Sequence, residues 1–292
     1  MNEFRWKQGQ LLGNYKLVLK LGAGCSGEVW SAISTASGQA VALKIFRNGR
    51  TAKSVVENEY EMATRVVHPH ILKPTCICQI SDYWVMEMPL CMGRSMDEVA
   101  GYMSVKHIWQ LLHDMASALS ALHQVNIGHL DVKPSNILYD GHRFLLSDFG
   151  SCSEISGEQS PERVISDHSS YRFDSPELIK GEYTVACDIW SLGATVFHLF
   201  MGCDVFNGLG GRVQKETSPL PYMRKNLPVL SELVIRCLAF DSHQRPTALE
   251  IVELAQDQLK QTVSVTKERS LKKRSEGISA CCDDFWPEVM EA

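Results

Sequence analysis

A change of hydrophobic period near position 90 narrows the folds open to this chain. Before it, apolar and polar residues alternate. In "YKLVLKL", Tyr15, Leu17, Leu19 and Leu21 fall on one face of a strand and Lys16 and Lys20 on the other. "GEVWSAI" and "AVALKIF" follow, joined by the hairpin-like "STASGQ", and "YWVMEM" reads as a further strand. A single helix interrupts them between Ala52 and Val67. Its apolar residues are Val55, Val56, Met62, Ala63, Val66 and Val67, and His68 with Pro69 ends it. Beyond position 90 the period becomes helical. Ile108, Leu111, Leu112, Met115, Leu119 and Leu122 mark one helix, "ACDIWSLGATVFHLF" a second, and "RPTALEIVELAQDQL" a third with Pro246 in its first turn. A small β-rich unit therefore precedes a larger helical one, without an internal repeat.

The chain has 292 residues, 45% of them hydrophobic, enough for one large domain or two lobes with separate cores. The net charge of −5 is spread along the sequence, and no basic stripe interleaved with aromatics argues for nucleic acid. "MNEFRWKQGQ" lacks the apolar core of a signal peptide, and "WSLGATVFHLF" is too short and mixed to span a bilayer. A soluble, cytoplasmic protein is expected. The ten cysteines are scattered, with no CxxC pair and no histidine spaced to join them, so reduced thiols are expected and zinc is not.

Four polar features stand out against this background. "LGAGCSGEVW" places Gly22, Gly24 and Gly27 between two strands, where glycine permits positive φ and close approach of backbone N–H groups to phosphate. A Gly-rich hairpin alone often needs no ligand. Lys44 lies within the apolar strand "VALKIF", and Glu59 lies on the apolar stripe of the following helix. Either alone has a structural explanation, but together they predict a buried ion pair. "HLDVKPSNIL" carries Asp131, Lys133 and Asn136 on one loop. Each of these has an ordinary reading, as turn former, solvated charge or cap. Asp148, in "LLSDFG", adds a second carboxylate at the exit of a short strand. Carboxylate and carboxamide oxygens are the ligands that Mg²⁺ takes beside phosphate and water, so Asp148 and Asn136 can share such an ion while Asp131 faces a hydroxyl.

With these residues in order, the chain resembles a eukaryotic-type (Hanks-type) protein kinase over about residues 15–260, from "GAGCSGEV" through "VALK", a helix Glu, "HLDVKPSN" and "DFG" to "SPE". The resemblance implies a bilobal α+β fold. A β-rich N-lobe with one main helix would occupy 15–86, a hinge 87–93 and a mostly helical C-lobe 94–260. Residues 1–14 would be an extension and 261–292 a flexible tail. It implies ATP and Mg²⁺, or Mn²⁺ in its place. Leu21, Gly22, Ala23, Gly24, Cys25, Ser26 and Gly27 would cover the nucleotide, and Val29 and Ala42 would pack on adenine. Met86 would be the gatekeeper, with Glu87 and Met88 offering backbone hydrogen bonds. Lys44 would contact the α/β-phosphates under orientation by Glu59. Asp131 would take the proton of the acceptor hydroxyl, Lys133 would steady the γ-phosphate, and Asn136 and Asp148 would hold the metal.

Lys133, two residues after Asp131, and Ser170, seven before Glu177, match the serine/threonine members and imply serine or threonine in protein substrates as acceptor. Glu177 is expected to pair with Arg245, and Asp188 to tie down the catalytic-loop backbone.

The chain also departs from the family pattern. His-Arg-Asp reads His129-Leu130-Asp131, and leucine cannot make the charged pocket that grips a phosphorylated activation loop. Activity independent of loop phosphorylation is therefore expected, despite Ser151, Ser153, Ser156, Ser160, Ser166, Ser169 and Ser170. Cys25, at the loop tip, is either an inert exposed cysteine or an oxidation-sensitive thiol, the former being expected. The tail, basic at "KERSLKKRSEG" and acidic around Phe285 and Trp286, is either unstructured or a docking peptide for a partner. A pseudokinase would usually lack Lys44, Asp131 or Asp148. An antibiotic phosphotransferase would lack the SPE element and the serine-bearing loop.

Overall fold

The computed structural model describes residues 6–24, 26–47, 52–91, 93, 95–155, 170–216, 223 and 227–275, with backbone alone at 170 and 263–275. Six strands form one antiparallel sheet: β1 (Leu11–Leu12), β2 (Tyr15–Ala23), β3 (Gly27–Ser34), β4 (Ala40–Phe46), β5 (Cys76–Ile80) and β6 (Tyr83–Pro89), in the order β1-β2-β3-β4-β6-β5. Helix α1 (Lys53–Arg65) links β4 to β5. Leu17, Leu43, Ile45 and Val85 fill one face of the sheet, and Phe46, Val56 and Met86 form a second cluster that joins it to α1. Helix α1 starts after Ala52 and ends at Arg65, where Val66 is already extended.

Two expectations for these elements need correction. Leu19 and Leu21 are 60% and 47% exposed, although period-two alternation puts them with the buried Leu17. Register shifts between Leu17 and Leu19, and between Lys20 and Gly22, turn the later leucines out of the core. Val55 and Val67 are also exposed, so the inner face of α1 is Val56, Glu59, Met62 and Ala63. Strand β5 carries the short apolar alternation "CICQI" and pairs only with β6, as an edge strand.

The helical part begins with α2 (Val105–His123), whose Ser104 cap accepts from His107 N. Short strands follow: β7 (Ile127–Gly128), β8 (Ile137–Tyr139), β9 (Phe144–Leu146) and β10 (Ser153–Glu154), pairing as β10-β7 and β8-β9. Then come α3 (Pro176–Ile179), α4 (Val185–Met201), α5 (Pro228–Cys237) and α6 (Ala248–Ser275). Helix α4 is buried nearly all round, and with α2, α5 and α6 it encloses the main core, which includes Met115, Leu119, Trp190, Leu192 and Ile251. Pro246 sits before α6 rather than inside it. The start is a reciprocal cap, Thr247 N to Glu250 Oε2 at 2.7 Å and Glu250 N to Thr247 Oγ1 at 3.2 Å. The helix runs to Ser275, so positions 261–275 of the expected tail are helical. Phe285 and Trp286 lie outside the described residues. Among the described residues no helix is long and apolar enough to cross a membrane.

Candidate active site

The sheet register puts the cleft residues into rows. Directly paired residues share a face. Val29, Lys44 and Met86 form one row across β3, β4 and β6, and Ser31, Ala42 and Met88 form the next. Ala42 and Met86 are buried. The turn between β2 and β3 is closed by Gly24 N to Gly27 O at 2.9 Å, and Leu21, Gly22, Ala23 and Gly24 are all exposed. None of these glycines uses the positive φ that glycine permits. Gly27 is required by close packing, since a Cβ there would meet Ile45 O at 2.3 Å. A Cβ on Gly22 or Gly24 would meet nothing within 4 Å, so protein contacts do not demand glycine there. Ser26 is half-buried, and its carbonyl accepts from Arg47 N. Cys25 lies outside the described residues.

Lys44 and Glu59 meet as expected, at 2.6 Å, with side chains only 8% and 5% exposed. Asp148 joins them, its Oδ1 2.9 Å from the same Nζ. Burial works against the charge on Lys44, but Asp148 and Glu59 outweigh it and raise the ammonium pKa above its ordinary value. The positive charge of Lys44 in turn holds the Asp148 carboxyl down at about 2 against the effect of burial. Asp148 therefore stays ionised, at φ 62 and with 43% of its side chain open to the cleft. Its left-handed backbone turns it out of the line of β9.

Asp131 stands on the loop between β7 and β8. Its Oδ2 is 2.9 Å from Lys133 Nζ and accepts from Asn136 Nδ2 at 3.0 Å. The same amide nitrogen donates to Asp131 O at 2.9 Å, which leaves the Asn136 carboxamide oxygen as that side chain's ligand atom. Buried His129 connects this loop to the Asp148 segment: its Nε2 is 3.2 Å from Ser147 O and its ring packs edge-on against Phe149. Burial pushes the His129 pKa down, so the bridge is neutral imidazole.

The scaffold residues also meet. Glu177 and Arg245 form a two-point pair, Nη2 to Oε2 at 2.9 Å and Nη1 to Oε1. Fully buried Asp188 accepts from His129 N at 2.9 Å and Leu130 N at 2.7 Å, with His123 Nε2 a further 2.9 Å partner. Leu130 packs with Leu178 and Cys187, so the position where the family carries arginine is an apolar contact. The side chain of Ser170 lies outside the described atoms.

Sequence reasoning missed His123, His129 and the Tyr15–Glu87 bond, in which Tyr15 Oη donates to Glu87 Oε2 at 2.6 Å. Their partners lie far along the chain and no local pattern marks them.

The family model described as protein kinase domain matches residues 15–255. Calcium-dependent protein kinase 5 of Plasmodium berghei is 29% identical over 80% of this chain and 44% of its own length. Serine/threonine-protein kinase ULK3 of Xenopus laevis is 28% identical over 82% of this chain and 54% of its own. A probable cell division protein kinase of Encephalitozoon cuniculi is 27% identical over 84% and 97%. The chain thus spans about half the length of the first two relatives. With an antiparallel sheet over a helical base and one lysine held between a helix glutamate and a cleft aspartate, this chain belongs to the eukaryotic-type protein kinase family, whose domain uses ATP to phosphorylate protein.

Proposed function

We propose that the chain is an active serine/threonine kinase that transfers the γ-phosphate of ATP to hydroxyls of protein substrates, acting in cytoplasmic signalling. The observation that carries this is the unbroken Glu59–Lys44–Asp148 chain of charges, tied to the Asp131–Asn136 loop where Ser147 N donates to Asn136 O at 2.9 Å. Each charged group that phosphoryl transfer needs is present and held by a named partner. A pseudokinase would usually lack Lys44, Asp131 or Asp148, and all three are present.

In this reading Leu21, Gly22, Ala23, Gly24, Ser26 and Gly27 lie over the phosphates and Val29, Ala42 and Met86 flank adenine. The room at Gly22 and Gly24 supports it. Glu87 O already accepts from Thr75 N at 2.8 Å, so adenine would use the second lone pair of that carbonyl, and Met88 would supply the other backbone contact. Asp148 and Asn136 offer a hard-oxygen donor pair that fits Mg²⁺, with Mn²⁺ as an alternative. When bound, the ion neutralises phosphate oxygens. Lys44 would orient the α/β-phosphates, Asp131 would align the acceptor hydroxyl and take its proton, and Lys133 would offset charge on the γ-phosphate.

Lys133 together with Ser170 favours serine or threonine as acceptor. Buried Leu130 offers no cation to a phosphorylated loop, which supports activity without loop phosphorylation. The tail around Phe285 and Trp286 is a candidate docking segment for a partner. Phosphoamino-acid analysis after transfer from labelled ATP to a protein mixture tests the acceptor class: phosphoserine or phosphothreonine supports the reading, and phosphotyrosine alone overturns it.

A further inference from the structure

Between the segment that follows α1 and helix α2, three groups with lone pairs converge. His70 follows α1, whereas His113 and Asp114 are neighbours on α2. Asp114 is fully buried, and its Oδ1 lies 3.0 Å from His113 Nδ1 and 3.5 Å from His70 Nε2. One ligand atom from each residue falls within 4.8 Å of the others. Zinc bonded to nitrogen and oxygen at about 2.0–2.2 Å in a tetrahedron sets its ligands about 3.3–3.6 Å apart, which includes the 3.5 Å His70–Asp114 edge and needs the 3.0 Å His113–Asp114 edge to open by a few tenths of an ångström.

The hydrogen bonds around the cluster favour a cation. His70 Nδ1 is 3.1 Å from Phe144 O, a carbonyl that only accepts, so this nitrogen carries the proton. With Nδ1 protonated, His70 Nε2 faces Asp114 Oδ1, an acceptor, at 3.5 Å, and either a second ring proton or a bound cation reconciles the two. A backbone-bonded outer nitrogen is how metal-bound histidine is held. The carboxylate is oriented as well: Phe144 N donates to Asp114 Oδ2 at 3.0 Å and Gln110 Nε2 to Oδ1 at 2.7 Å.

We propose that His70, His113 and Asp114 bind a zinc-class divalent ion, with water completing the tetrahedron. Two imidazoles and a carboxylate suit zinc and its late first-row neighbours rather than Mg²⁺. The ion fastens the segment after α1 to α2 at the edge of β9, the strand that leads to Asp148. The site was not foreseen because the ligands come from separated segments rather than a spaced cysteine or histidine pattern.

The test is Zn²⁺ titration of the full chain against a fluorescent zinc chelator, with excess Mg²⁺ to cover Asp148 and Asn136. Wild type is compared with His70→Gln and His113→Gln, neither of which belongs to the catalytic machinery. Loss of a ligand is expected to weaken one site by more than about 100-fold, beyond the roughly 10–100-fold effect typical of an outer-shell partner. Zn²⁺ should also raise the thermal midpoint of wild type but not of the variants. Co²⁺ should give tetrahedral ligand-field bands without thiolate charge transfer. If His70→Gln does not fold in chelator, His113→Gln, with its side chain 27% exposed, carries the test alone. Unchanged Zn²⁺ affinity in the folded variants, or a Co²⁺ spectrum dominated by thiolate, overturns the proposal and leaves a protonated His70 as the positive centre. None of these readouts depends on kinase activity.

Discussion

Leu130 N donates to Asp188 Oδ1 at 2.7 Å, and Leu130 sits at φ 60, where a branched side chain is strained. Asp188 stabilises that conformation by taking the N–H groups of both His129 and Leu130, and so sets the position of Asp131. Asp188→Ala leaves two buried donors unsatisfied and is expected to cost about 3–5 kcal/mol. Urea unfolding measures it. A loss below about 1 kcal/mol would mean the loop holds its own shape.

Lys44 and Glu59 should separate in kinetics. Lys44→Met removes the charge itself and is expected to lower kcat/KM by about 10²–10³. Glu59→Gln removes one holder while Asp148 remains, so a smaller loss is expected, about tenfold, mainly in KM for ATP. Steady-state kinetics on folded variants checks the order. Equal losses would make Glu59 as necessary as the lysine.

The Glu177–Arg245 pair should appear in the pH dependence of stability. Burial opposes the Glu177 charge, but the Arg245 hydrogen bonds and charge outweigh it and leave the pKa below its ordinary value. The folded form therefore binds its proton less readily than the unfolded one. The contribution is full above the unfolded carboxylate pKa and disappears as pH falls through the lowered folded value. Wild type and Glu177→Gln should differ by about 3 kcal/mol near neutrality and converge in acid. Denaturant midpoints across pH give the result, and a constant gap would contradict it.

Leu130 makes a prediction about control. Alanine at Ser151, Ser153, Ser156, Ser160, Ser166 and Ser169 together is expected to leave activity within about threefold, since a buried leucine provides no phosphate grip. Leu130→Arg would place a guanidinium among Leu178 and Cys187 and is expected to destabilise by about 2–5 kcal/mol, read by thermal unfolding. Loss of activity in the folded serine variant would overturn the first expectation.

What the sequence made legible follows from the range of the forces involved. Local patterns carried β2, β3, β4, β6, α1 and α2, because each buries one face, and α4 because it is apolar nearly all round. The Lys44–Glu59 pair was legible because a charge on an apolar stripe needs a partner. Leu19 and Leu21 were misassigned because bulges in β2 reverse the alternation, and a bulge leaves no mark in periodicity. The third member of the charge chain, Asp148, was placed with Asn136 as a metal ligand, but its contact with Lys44 spans 104 positions and needs the tertiary fold. Buried His129 and the His70–Asp114 contact were illegible for the same reason. The end of α6 at Ser275 was missed because charged residues there carry no core-facing period.

Phosphate transfer from labelled ATP with Mg²⁺, comparing wild type with Asp131→Asn, tests the central claim most directly. The account predicts label on serine or threonine from wild type, a loss of at least about 10³-fold in the variant, and nearly equal ATP binding by both. Equal transfer by both proteins, or none from wild type despite ATP binding, would contradict it.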